Sequence, residues 1–261
     1  MMPNLLEFEP IRILGFLVIL ARISGLIISA PVLGDDTIPL PVKGAFAFIL
    51  SLLFFPLVAA PSLGPNPGLL SLTLTMLREV AVGLVLGFTA RVVFVGIQLA
   101  GEVIGFQMGI GVANVFDPSS DEQIPLLGQM QSVLAMFLFV VADGHHLLIR
   151  AVAESYTLVP PGAMQLTQPG YHYAVLLFST IFVIGIQVGA PLIVAMLAAN
   201  FSIGLIARSV PQVNVFVVGF PFTILLGILF LAVSFPFFAQ AVMTVNEQLA
   251  EMLMQALRVL R

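Results

Sequence analysis

The sequence predicts an all-α, multi-span membrane protein of long, kinked helical hairpins, built to pack in a hetero-oligomeric assembly. Three observations predict it. Charged residues make up 8% of the 261 positions, where a soluble domain carries about 25%. Hydrophobic residues make up 60%, with a mean hydropathy of +1.14; a small soluble fold cannot hide that much apolar surface, so lipid or other protein is the solvent of most of the chain. The thirteen acids and nine bases gather at the ends of long uncharged runs.

The runs follow one another in order. Ile13 to Leu33 ends at Gly34-Asp35-Asp36, and Gly44 to Leu63 ends in a turn rich in Pro and Gly over 61–68. Val80 to Ala100 holds Arg91. A shorter run, Val103 to Phe116, stops at Asp117-Pro118, and Ile124 to Ala142 stops at Asp143-Gly144. Continuous runs of this length suit spanning helices of about 20 residues, not the alternating strands of a barrel. A loop from Val159 to Gly170 holds three prolines. Beyond it, Ala174 to Ala207 and Ser209 to Asn246 carry no charge. As straight helices these would measure about 50 Å or more, against a hydrocarbon core of about 30 Å. With Pro191, Pro221 and Pro236 as kink sites, they read as a tall hairpin whose polar residues, among them Gln187 and Asn200, suit protein contacts. The tail from Val245 to Arg261 is amphipathic: Leu249, Met252, Leu253, Ala256 and Leu260 share one face, and Glu247, Glu251, Gln255 and Arg258 the other.

The start lacks the basic region of a cleavable signal, so the first hydrophobic segment reads as retained. Arg258 and Arg261 favour a cytoplasmic C-terminus. The absence of Cys excludes disulfides, thiolate metal sites and Cys nucleophiles. A net charge of −4 leaves no basic patch for nucleic acid.

Small residues mark candidate packing faces. Gly101, Gly105 and Gly109 recur every four positions, as do Gly83 and Gly87, and Gly185 and Gly189; in lipid such spacing lets helix backbones approach closely. Glu102 and Gln107 on the same stretch need polar partners. Arg22, Arg91, Arg150 and Arg208 lie in or beside apolar runs, where charges pair or function; they are candidates for buried charge pairs or subunit contacts, with Glu79 and Glu102 as possible partners.

Asp143-Gly144-His145-His146 is the most enzyme-like string. Adjacent histidines on a helix point about 100° apart, unlike the i, i+4 pair of a metal site, so the string reads as a helix break capped near Asp143 or Gly144 and no metal site is expected. A triad of Ser155, His146 and Asp143 can be written on paper, but no spacing supports it. No nucleotide motif is present, and no cofactor is expected. The stretch from Gln107 to Pro125 starts apolar and ends acidic, which suits a re-entrant or pore-facing element, with an ordinary interhelical turn as the alternative.

Several strings together resemble the FliR family of flagellar export-gate subunits. They are Ala21-Arg22-Ile23-Ser24-Gly25, Ala30-Pro31, Ile38-Pro39, Val42-Lys43, Gly101-Glu102 leading through Gln107-Met108-Gly109 to Asp117-Pro118, Leu127-Gly128-Gln129, and Asp143-Gly144-His145-His146. The most specific runs from Ala207-Arg208-Ser209 through Pro211 to Phe216, followed by Gly219-Phe220-Pro221. The order and spacing of these strings carry the resemblance across nearly the whole chain. It implies a non-enzymatic core subunit of the type III protein export gate, assembled with FliP-like and FliQ-like subunits and wrapped by an FlhB-like one, with unfolded flagellar proteins as cargo. It implies a FliP-like part over 1–170, a FliQ-like hairpin over 171–246 and a C-terminal helix over 247–261. A plug loop near 107–125 would be formed by Gly109, Gly111, Val112, Val115, Phe116 and Asp117. The location implied is the bacterial inner membrane at the flagellar basal body, with part of the assembly projecting toward the periplasm. The related injectisome subunit, a secondary transporter and, more distantly, an intramembrane enzyme are the other readings.

Overall fold

The computed structural model describes residues 10–35, 37–58, 68–110, 125–165, 167–209 and 215–261. Among them every regular element is helical: α1 (Pro10–Ser29), α2 (Leu40–Phe54), α3 (Leu69–Met108), α4 (Leu126–Val141), α5 (Gly144–Leu158), α6 (Gln168–Ser209) and α7 (Val215–Val259). Four are long and apolar enough to cross a membrane (α1, α3, α6 and α7), or five spans if α4 and α5 are counted as one broken span. The chain is therefore an all-α, multi-span membrane protein.

Two differences from the sequence expectation have local causes. The second run yields only the 15 residues of α2, too few for a span, because Pro56 has no N–H to continue the helix past Phe55. The 40-residue α3 begins at Leu69, ahead of the third run, and takes in that run and the fourth as far as Met108; Glu102 lies inside it, its Oε1 accepting from Gln98 Nε2 one turn earlier at 3.0 Å. The amphipathic tail continues α7 without a break, and its apolar face is covered: Leu249, Leu253, Ala256, Leu257 and Leu260 are buried while Glu251, Gln255 and Arg258 are exposed.

Contacts divide the described residues into two compact units. The first draws on Met1–Arg91, Asp143–Leu176 and Gln248–Arg261, the second on Val92–Ala142 and Leu177–Glu247. The core of the first unit gathers Val18, Ile19, Ile23, Leu26 and Ile27 of α1, Val82 and Leu86 of α3, and Leu249, Leu253 and Leu257 of α7. Its α1–α2 corner is tightly turned. Val32 takes a left-handed φ of 67°, unfavourable for a β-branched residue, and the corner is held by Gly34 N–H to the Ala30 carbonyl at 2.9 Å and by Lys43 Nζ to the Gly34 carbonyl at 3.1 Å. Asp35 Oδ1 accepts the Thr37 N–H at 2.9 Å. That bond, helped by the charges of Lys43 and Arg91, holds the Asp35 carboxyl below the ordinary carboxylate range. The start of α6 is tied to the end of α7 by Tyr173 Oη donating to the Met252 carbonyl at 2.8 Å and Thr167 Oγ1 to the Val259 carbonyl at 3.1 Å.

The second unit has a core of Ile104, Met108, Leu127, Leu192 and Met196, with Ile193, Phe230 and Leu231 packed around it. Here α3 ends at Gly109, whose φ of +83° is the left-handed stop a glycine permits. Its last carbonyls are capped by side chains: Asn200 Nδ2 donates to the Gln107 carbonyl at 3.0 Å and Thr223 Oγ1 to the Met108 carbonyl at 2.9 Å.

Glycine decides how closely α1 and α3 meet. A Cβ on Gly83 would collide with the Arg22 carbonyl oxygen and approach the Leu26 nitrogen to 2.7 Å, and one on Gly25 would collide with the Val80 carbonyl oxygen. These are backbone atoms that cannot swing aside. Gly83→Ala is expected to cost about 1–3 kcal/mol, read as a lowered melting midpoint in detergent. Gly44→Ala, with nothing within 4 Å of the new methyl, should leave the midpoint unchanged or slightly raised.

Candidate functional site

Arg22 sits on α1 with no solvent exposure, and Glu79 on α3 has none either. Their ion pair is short, 2.7 Å from Nε to Oε2. The guanidinium is a fixed fork of donors, and two further prongs are used: NH1 donates to Ser155 Oγ at 2.9 Å and NH2 to the Val159 carbonyl at 2.9 Å. Its flat face lies 4.3 Å from the centre of the Tyr156 ring, within cation–π range. Tyr156 Oη in turn donates to the Ile19 carbonyl at 3.3 Å, and Ser155 Oγ donates to the Val152 carbonyl at 2.7 Å. One cation thus joins α1, α3 and α5.

The other oxygen of Glu79 holds a turn. Pro160-Pro161-Gly162-Ala163 closes with the Ala163 N–H on the Pro160 carbonyl at 2.9 Å, and Gly162 has a φ of +82°. Proline second and a positive-φ glycine third describe a type II turn. The turn aims the Gly162 N–H at Glu79 Oε1, 2.8 Å away, while its carbonyl accepts Arg78 NH1 at 3.1 Å. Space is not what requires glycine there, since a Cβ would meet Thr75 only at 3.5 Å; the backbone conformation is. Both charges are therefore compensated by hydrogen bonds as well as by each other, which burial demands.

Of the other candidate charges, Glu102 is half-buried and paired with Gln98, while Arg91 and Arg208 are exposed. The glycines divide into tight and open positions. Gly83 and Gly87 face α1 in the first unit. In the second, a Cβ on Gly101 would lie 2.6 Å from the Gly128 Cα of α4, and one on Gly189 would lie 3.2 Å from the Ala100 Cβ. At Gly185 the Gly96 carbonyl oxygen would be 3.2 Å away. At Gly105 the nearest neighbour is the Leu127 Cβ at 3.5 Å, so a methyl fits. Gly109 terminates α3, facing the Phe220 ring. The remaining plug-loop candidates, Gly111, Val112, Val115, Phe116 and Asp117, lie outside the described residues. Gly25 and Gly128 were named from sequence only within the family-like strings and not as packing positions, and Gly96 on α3, with Tyr156 and Gly162 beside the ion pair, was not singled out. The Pro-Pro-Gly string was the available signal for the turn; nothing local announced the others.

Asp143 is the residue before α5, with a left-handed φ of 57°. The structure differs here from the sequence expectation of diverging histidines: the rings of His145 and His146 lie 4.2 Å apart at 36°, and His146 Nδ1 is 3.1 Å from Asp143 Oδ1. All three are exposed. Ser155 is buried and engaged with Arg22 and the Val152 carbonyl, so it does not join these residues as a nucleophile.

The Arg22 network predicts an asymmetry between single and double substitutions. Glu79→Gln leaves a desolvated guanidinium without its counter-charge and should cost about 3–5 kcal/mol. The double variant Arg22→Met, Glu79→Met should cost clearly less than the sum of its two single variants, as ranked by melting midpoints in one detergent.

Comparison with known proteins gives one consistent result. The profile of the bacterial export proteins, family 1, matches residues 13–249. The chain is 33% identical over 220 residues to the flagellar biosynthetic protein FliR of Escherichia coli (strain K12), covering 84% of both chains. It is 31% identical over 226 residues to that of Bacillus subtilis (strain 168), covering 84% of this chain and 85% of the relative. To that of Caulobacter vibrioides (strain ATCC 19089 / CIP 103742 / CB 15) it is 31% identical over 217 residues, covering 83% and 86%. A profile match over more than half the chain, with long collinear relatives on both sides, means that this chain belongs to the bacterial export proteins, family 1.

Proposed function

We propose that this chain is a structural subunit of the flagellar type III protein export gate, assembling with FliP-like and FliQ-like subunits to form the path for unfolded flagellar proteins, with an FlhB-like subunit outside. The observation that carries the reading is the collinear similarity to FliR proteins over more than four-fifths of the chain. The character of α6 and α7 supports it. They run 42 and 45 residues and expose Phe178, Phe182, Ile186, Phe201, Leu225 and Val233, more apolar length than one bilayer crossing uses. Arg208, exposed in the last turn of α6, needs a partner that lipid tails do not offer. The role is structural rather than enzymatic, and the place is the inner membrane at the flagellar basal body, with part of the assembly on the periplasmic side.

Within that reading, residues 1–170 are the FliP-like part, 171–246 the FliQ-like hairpin and 247–261 the terminal helix. Gly109, Gly111, Val112, Val115, Phe116 and Asp117 form the plug. An apolar constriction seals by stripping ions of hydration, so bulky Val112, Val115 and Phe116 would close the path while the glycines let the backbone yield.

Two experiments test this. Tagged chain extracted in mild detergent should bring down FliP-like and FliQ-like subunits and restore motility to a strain lacking its FliR; a monodisperse monomer that transports a small solute in liposomes would overturn the reading. Phe116→Ala should leave assembly intact but raise ion leak through the resting gate, measured as conductance or as sensitivity to a normally excluded solute. An unchanged leak in an assembled gate would remove the plug role from this residue.

A further inference from the structure

We propose that Asp143, His145 and His146 together hold one divalent transition-metal ion at the start of α5. Each offers a ligand atom, and the three atoms lie within 4.8 Å of one another. The carboxylate is exposed and is not spent on capping the helix. The Asp143 carbonyl opens the helix in the usual way, accepting the N–H groups of His146 and Leu147 at 3.0 and 3.4 Å. The side chain makes no capping hydrogen bond and instead lies 3.1 Å from His146 Nδ1. Asp143 has a left-handed φ, its carboxylate lies beside the first turn of the helix, and the two imidazole rings of that turn are 4.2 Å apart.

The donor set selects the ion. Two imidazole nitrogens and one carboxylate oxygen suit zinc, nickel or copper, whereas calcium and magnesium prefer all-oxygen shells. Metal–ligand bonds of about 2.0–2.1 Å place tetrahedral donors about 3.3 Å apart. The Asp143–His146 pair already has that spacing. The His145 ring closes the remainder by side-chain rotation, which its exposure permits. A fourth position is left for water. The partial positive charge at the α5 N-terminus opposes a cation, and the carboxylate offsets it. This reverses the sequence expectation of no metal, which rested on ideal helical directions for adjacent residues. The proposal does not depend on the export reading: it concerns what braces the start of α5.

The test uses full-length, tag-free chain in mild detergent, with any subunits that accompany it, stripped of metal and titrated with Co²⁺. The chain has no Cys and only three His, so His172 is the sole other imidazole. One Co²⁺ per chain should bind with the visible bands of a four-coordinate site, Zn²⁺ should displace it, and Zn²⁺ should raise the melting midpoint. His146→Ala and Asp143→Gly should each weaken binding about tenfold or more, and His172→Ala should not. Asp143→Gly removes the ligand while suiting the left-handed backbone, so a loss there is not a folding defect. Absence of saturable binding, or binding that survives Asp143→Gly and His146→Ala unchanged, would overturn the proposal.

Discussion

The Arg22–Glu79 pair is the constraint on which the first unit is arranged. A guanidinium removed from water needs its charge balanced and its donors occupied, and this one meets a carboxylate, a hydroxyl, a backbone carbonyl and an aromatic face. Lysine would not substitute, because a point charge on a flexible stem cannot address three directions in one plane. The pair also sets what the surrounding sequence must be. The pair, 2.7 Å across α1 and α3, lies where the two helix backbones come close together at Gly25, Gly83 and Gly87. Charge and glycine are two parts of one requirement: the first supplies the attraction and the second removes the side chains that would hold it off.

The second unit is held differently. Its helix contacts rely on absent side chains, as where Gly101 faces Gly128, and on neutral amide and hydroxyl caps at the end of α3. No buried ion pair occurs there among the described residues. Neutral caps can be exchanged for equivalent bonds at little cost, whereas the buried pair cannot be opened without exposing two charges to an apolar surrounding. The two regions thus differ in how readily their polar contacts can be rearranged.

Much of the architecture was legible because the solvent is apolar. Hydropathy alone located α1, α6, α7 and the middle of α3, and the unbroken charge-free stretches around Pro191, Pro221 and Pro236 foretold helices longer than one crossing. Boundaries were less legible where a single residue acts through its backbone, as Pro56 does in cutting α2 short, and α3 runs through Glu102, a charge that read as a break. At the candidate site, an arginine inside an apolar run announced itself, and Glu79 was one of two acids able to meet it. Ser155 and the Val159 carbonyl could not be found the same way, since their part depends on which helices meet. The two histidines of α5 show the limit of periodicity arguments: helical spacing sets where adjacent Cα–Cβ bonds point, not where rotatable side chains carry their rings, which lie 4.2 Å apart here.

The exposed length of α6 and α7 has a consequence for the life of the chain in a cell. A 42-residue helix has a contour of about 60 Å, roughly twice the hydrocarbon thickness. Tilt, kinking and local thickening absorb only a few ångströms of such mismatch, so a solitary chain would leave bands of Phe, Leu and Val facing headgroups or water. Quality-control proteases and chaperones read that kind of exposure as damage. Whatever covers these faces acts on the folded chain by mass action, which ties the chain's abundance to the supply of its neighbours more than to its own rate of synthesis.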